Sequence, residues 1–82
     1  MSAQSEQSIG MLLGEALRAR REDSGLSLRA AAERAGMSPA HLSEVERGLK
    51  EPSFGALARI ADAIGVEPGE VFLDLAIALG AA

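Results

Sequence analysis

The chain of 82 residues has no cysteine, no tryptophan, no tyrosine and a single histidine, His41. Without cysteine, neither a disulfide framework nor a thiolate metal site can form. A lone histidine with no cluster of carboxylates at ligand spacing implies no metal centre. No glycine-rich loop after a strand is present to cradle a phosphate, so no cofactor is expected and no small-molecule ligand is evident. Ser38 and Ser43 flank His41, but no strand-turn-helix elbow or third partner makes a nucleophile of either. Catalysis is therefore not expected. No apolar run approaches the ~20 residues that span a bilayer, and no targeting signature opens the chain. These absences suit a protein of a reducing cytoplasm with no membrane partner. Positive charge is also scarce: 8 Lys and Arg against 12 Asp and Glu give a net charge of −4. That balance argues at first sight against a nucleic-acid partner, because phosphate neutralisation dominates such affinity.

What is present is a helical pattern punctuated by 9 glycines, in a chain long enough for one domain burying roughly 60–65% of its unfolded surface. The organising stretch is SLRAAAERAGMSPAHLSEVERG, residues 27–48. Ser27 is a helix cap and the alanine-rich segment runs to Ala35. Gly36 ends it, Met37 is an apolar plug, and Ser38-Pro39 restarts the chain with serine at the cap and proline at the first helical position. Two short helices with glycine in the turn form the helix-turn-helix arrangement. Ala31, Ala32 and Ala35 make a small-residue face for close approach. Leu42 and Val45 form the hidden stripe of the second helix, which leaves Pro39, Ala40, Ser43, Glu44 and Arg47 facing outward. Taken alone, such a face is either a solvated helix surface or a surface presented to DNA.

This segment and its flanks resemble the Cro/C1-type (Xre-family) helix-turn-helix domain of bacterial and phage repressors. The likeness runs from about Leu13 to Phe72 and rests on G-L-S-L at 25–28, A-x-x-A-G-M-S at 32–38, L-S-E-V-E-R-G at 42–48, P-S at 52–53 and A-x-A-I-G-V at 61–66. None is strong alone; together they are in register. LSEVERG and Leu28 look most like the actinobacterial regulators of Clp protease genes. The length looks more like the restriction–modification controller proteins. The resemblance implies an all-α, five-helix lambda-repressor-like domain that binds double-stranded DNA and regulates transcription, acting as a homodimer on a palindromic operator. An interaction module on the same fold, adaptor or antitoxin-like, is the alternative.

In chain order, residues 1–8 read as a disordered leader, or at most a frayed first turn, and 9–82 as the domain. A first helix is expected from about Ile9 to Asp23, with Leu13 and Leu17 inward and Gly25 ending it. Arg18 and Arg20 read as a solvated charge run. Arg21 lies one turn past Leu17 on the inner side, and the resemblance implies that it pairs with Glu46. After Gly48, Pro52 breaks the chain and Ser53 caps a helix from Phe54 to Ile64. Phe54, Leu57, Ile60, Ala61 and Ile64 are expected to complete the core with Val66. The resemblance also implies that the start of this helix holds a DNA phosphate, an arrangement favoured at helix N-termini, with Arg47 and Lys50 beside it.

Carried over by position, the resemblance puts base reading on Pro39, Ala40, Ser43 and Glu44, beside Ser38 at the cap. Pro39 and Ala40 offer apolar contact, and Glu44 can accept from cytosine N4. His41 is either a phosphate or sugar contact or a half-buried packing residue. Two departures matter. Leu28 stands where the family often has glutamine, with Arg29 as the plausible substitute phosphate contact. The recognition helix also lacks glutamine, asparagine or arginine at its leading positions, so backbone contacts and DNA shape should carry a larger share of recognition.

The charge is unevenly spread. Residues 27–50 carry Arg29, Arg34, Arg47 and Lys50 against Glu33, Glu44 and Glu46, whereas residues 51–82 carry only Arg59 against Glu51, Asp62, Glu67, Glu70 and Asp74. The acid thus gathers away from the presented helix. The last helix, about 68–79, has Val71 and Phe72 to close the core. Leu73, Leu75, Ala76, Ile77 and Leu79 are then left with no further interior to enter. Apolar surface of that size marks an interface, so a two-fold dimer through this helix is expected; the alternative is that the tail folds back onto the first helix.

Overall fold

A computed structural model describes residues 8–80, which form five α-helices and no strand: α1 (Ile9–Asp23), α2 (Leu28–Ala35), α3 (Pro39–Glu46), α4 (Phe54–Ala63) and α5 (Pro68–Ala78). Residues 1–7 of the expected leader lie outside the described residues. Ser8 caps α1, its Oγ accepting from the Met11 N–H at 3.0 Å. Ser27, Ser38 and Ser53 do the same for α2, α3 and α4, accepting from Ala30, His41 and Ala56, each at 3.0 Å. Four helices therefore begin on a serine that satisfies one of the free N–H groups of a first turn. α5 begins differently, with Glu67 at the cap position making no side-chain bond and Pro68 supplying the preset backbone angle.

The core lies among the five helices, with α2 packed on α4 and α3, α1 on α3 and α5, and α5 on α4. Leu17, Leu42, Val45, Ile60 and Val71 are its largest fully buried side chains. Ala31, Ala32 and Ala35 are also buried, the small face that brings α2 close to its neighbours. Met37, Leu26, Leu13 and Val66 plug the margins.

Two core expectations fail. Phe54 is 84% exposed and Phe72 is 44% exposed. The inner stripe of α4 starts instead at Ala56 and Leu57, and Phe54 is left at the rim of an open apolar groove with Ile9, Phe72 and Leu75. On α5, Val71 takes the inward position, and its neighbour Phe72 is turned about a quarter of the way round the helix, toward solvent.

α5 does return onto α1, but through polar groups as well as apolar ones. Arg20 donates from Nε and Nη2 to the two carboxylate oxygens of Asp74 at 2.8 and 3.0 Å, and from Nη1 to Glu70 at 3.3 Å. Arg20 is thus a tertiary tie and not the solvated charge its sequence setting suggested. Arg18 is solvated, reaching only Glu22 one turn along. The Arg20 fork holds the Asp74 carboxyl below its ordinary value through the side-chain hydrogen bond first and charge attraction second. The Arg20 guanidinium is raised in return.

Candidate nucleic-acid interface

The end of α2, its turn and α3 form one unit. α2 stops at Gly36, whose φ of 71° is left-handed, a conformation that costs glycine little and side-chain-bearing residues more. The Met37 N–H then bonds back to the Ala32 carbonyl at 3.0 Å, closing the helix end as the chain turns into Ser38 and Pro39.

The far end of α3 is anchored to α1 in two ways. Arg21 donates from Nε and Nη2 to the two oxygens of Glu46 at 2.7 and 3.0 Å. Its remaining Nη1 donates to the Leu26 carbonyl at 3.0 Å. Both side chains are largely shielded, and the bond to Glu46 raises the Arg21 guanidinium further above its ordinary value. About two turns earlier on α1, Gly14 lies directly under the carbonyls of Val45 and Glu46, where any Cβ would collide with them. Sequence reasoning missed this contact, because a glycine inside a helix signals only a propensity penalty. Leu42 and Val45 meanwhile bury the inner side of α3 in the core.

The leading end of α3 is left free. Pro39, Ala40 and Arg47 are exposed, while His41, Ser43 and Glu44 are half-buried along the same helix. Ser38 is exposed with its Oγ committed to the cap. Arg29 on α2 and Lys50 after α3 are exposed on either side. Arg29, Glu33, Met37 and Pro39 line a shallow depression where α2 meets the start of α3. Of the sequence-derived residues, Arg29 and Pro39 share this depression at the start of α3, whose inner side is held in the core by Leu42 and Val45.

A family profile described as a helix-turn-helix domain matches residues 12–73. The chain belongs to the helix-turn-helix domain family. Its helix-turn-helix runs from Leu28 to Glu46, with α3 in the place of the second, presented helix. The domain is similar to an uncharacterized HTH-type transcriptional regulator of Mycobacterium tuberculosis, at 41% identity over 64 residues, 78% of this chain and 46% of that protein. It is also similar to the transcriptional regulator ClgR of the same organism, at 38% identity over 63 residues, 77% of this chain and 56% of ClgR. The matched region thus spans about half the length of these relatives.

Among solved structures, the clp gene regulator ClgR from Corynebacterium glutamicum superposes with a TM-score of 0.84 at 40% identity, covering 88% of this chain and 94% of that one. The restriction-modification controller protein C.AhdI from Aeromonas hydrophila superposes with a TM-score of 0.73 at 32% identity, covering 76% and 94%. Both likenesses agree with the all-α, lambda-repressor-like reading of the helix-turn-helix domain. By their names, these relatives are regulators and not enzymes. Among the described residues, no helix is long and apolar enough to cross a membrane.

Proposed function

We propose that this helix-turn-helix domain is a sequence-specific, DNA-binding transcriptional regulator of the cytoplasm, working as a homodimer on a palindromic operator. The observation that carries the reading is the asymmetry of α3. Its C-terminal end is fixed by Arg21, Gly14 and the core, whereas Pro39 and Ala40 at its start are exposed with nothing packed over them. A helix held in this way can enter a major groove by its N-terminal end. Pro39 and Ala40 would meet thymine methyl groups, Glu44 a cytosine N4, and Ser43 either kind of group. Arg29, Arg47, Lys50 and the N–H groups at the start of α4 would hold phosphates on both sides. His41, half-buried beside them, would reach a sugar or phosphate.

Dimerisation would go through α5. Leu73, Ile77 and Leu79 are 57%, 56% and 53% exposed, while Leu75 and Ala76 are half-buried at the edge of the same surface. Leu75 also lines an apolar groove with Phe72, Phe54 and Ile9, so the surface a second copy would cover extends beyond α5. Joining two copies by a two-fold axis would set two α3 helices about one DNA turn (~34 Å) apart. The acidic C-terminal third and this apolar face also suit the rival reading, an interaction module without specific DNA binding.

The test is the mobility of a labelled promoter fragment carrying a palindromic site at rising salt. Retention by a complex containing two chains, weakening steeply as salt rises, is expected. Retention of a protein partner with no DNA shift at any salt contradicts the proposal and favours the rival.

A further inference from the structure

We propose that Arg59 of α4 is a positioning residue for the presented helix, acting through the last carbonyl of α2. The helix end explains why such a residue is needed. Closure of α2 uses the carbonyls of Ala32 and Glu33, which accept from Met37 and Gly36 at 3.0 and 3.1 Å. Of the last four carbonyls of α2, those of Arg34 and Ala35 take no part in this closure, because the left-handed Gly36 turns the chain out of the helix before the residues four places on can donate to them. Arg59 fills that gap from another helix: its Nε donates to the Ala35 carbonyl at 3.2 Å. A cation at the C-terminal end of α2 also opposes the negative end of the helix dipole there.

Arg59 lies at the surface and makes this bond through Nε. Among the described residues, no carboxylate forms an ion pair with Arg59. Its Nη1 reaches back along α4 to Gly55, 3.8 Å from where a Cβ would stand. The guanidinium thus sits between the first turn of α4 and the C-terminal end of α2. The start of α4 is the phosphate-holding end in the reading above, and the turn sets the direction of α3. Arg59 fixes one against the other. The functional half of this inference rests on the DNA-binding reading; the structural half does not.

Two substitutions separate the roles a surface arginine can have. In Arg59→Gln, the amide nitrogen is attached to Cδ as Nε is, so donation to Ala35 is kept and the charge is lost. In Arg59→Met, shape is nearly kept and the donor is lost. The unsubstituted chain and both variants are compared in three measurements: helicity by circular dichroism, amide exchange at Met37 and Ser38, and, at several salt concentrations, the preference for a fragment selected by the unsubstituted chain from a random duplex pool over unselected duplex.

Arg59→Met is expected to remain helical, to exchange faster at the turn, and to lose roughly three- to tenfold in preference, as for one lost hydrogen bond. Arg59→Gln is expected to stay within about twofold of the parent on both counts, with an unchanged salt slope. If the two variants fall together and both lower the salt slope by about one, Arg59 is a phosphate contact and the inference is overturned. Parent-like exchange in Arg59→Met overturns it as well. If the unsubstituted chain selects no sequence, the DNA-binding reading fails, while faster turn exchange in Arg59→Met alone still supports the structural half.

Discussion

Arg21 and Glu46 form a two-pronged ion pair, 2.7 and 3.0 Å long, that bolts the C-terminal end of α3 to α1 across 25 positions of sequence. Glu46 is 8% exposed and the sole charged residue in the buried class among the described residues. A pair in such a setting adds little net stability, because desolvation offsets the attraction, yet removing one partner strands the other. Glu46→Ala is therefore expected to destabilise the domain by about 3–5 kcal/mol in denaturant unfolding. The double variant Arg21→Met, Glu46→Leu should recover much of that loss. Additive losses would show that the pair is not a coupled unit.

The Arg20 tie predicts a response to acid. Asp74 has its carboxyl lowered in the folded state by the hydrogen bond from Arg20. A group shifted down on folding stabilises the fold above its unfolded value, near 4 for aspartate, and that contribution disappears as pH falls through the lower, folded value. The chain should lose stability below about pH 4, and in Asp74→Asn this component should be absent. A thermal-unfolding series against pH checks it; identical acid slopes for parent and variant would exclude Asp74 as the source.

Glycine positions separate close approach from mere helix propensity. Gly14→Ala drives a methyl into the Val45 and Glu46 carbonyls and is expected to destabilise by about 1–3 kcal/mol or more. Gly69, in the first turn of α5, has nothing within 4 Å of a Cβ. Gly69→Ala should stabilise by about 0.5–1 kcal/mol, since alanine costs less to order in a helix. Equal shifts in melting temperature for the two variants would contradict the packing described between α1 and α3.

On DNA, Lys50→Ala should weaken binding to all sequences alike and reduce the salt slope by about one, as for a lost phosphate contact. Glu44→Ala should instead alter which sequence is preferred, with the slope retained. Titrations at several salt concentrations on selected and random duplexes measure both. The roles are wrongly assigned if the two variants behave alike.

The proposed dimer face is open to a similar test. Leu73 and Ile77 are exposed and add nothing to the described core, so Leu73→Glu and Ile77→Glu should leave helicity intact. In sedimentation they should halve the mass of the particle. An unchanged mass would move the interface away from this part of α5.

Most of the architecture was legible because local chemistry and global packing agree. Ser27, Ser38 and Ser53 each precede an apolar 3/4 repeat, and each caps a helix. Gly36 marks the turn for the same reason that it tolerates a positive φ. The Arg21–Glu46 pair came from the family resemblance, since spacing alone names no partner for an arginine. Arg20 and Asp74 lie 54 residues apart, and each reads locally as an ordinary surface charge, so their meeting was not legible. Phe54 followed the apolar repeat and still faces outward, because periodicity marks a side of a helix but not where its covering element ends. Arg59 was equally silent in the sequence. Its partner is the backbone carbonyl of Ala35, at the C-terminal end of another helix.

The central claim is that two copies of the domain read one duplex through paired α3 helices. Recovery of bound fragments from a pool of random DNA, followed by sequencing, tests it most directly. An inverted repeat with half-sites centred about 10–10.5 base pairs apart is expected. Enrichment of a single asymmetric element, or of no sequence at all, would contradict it.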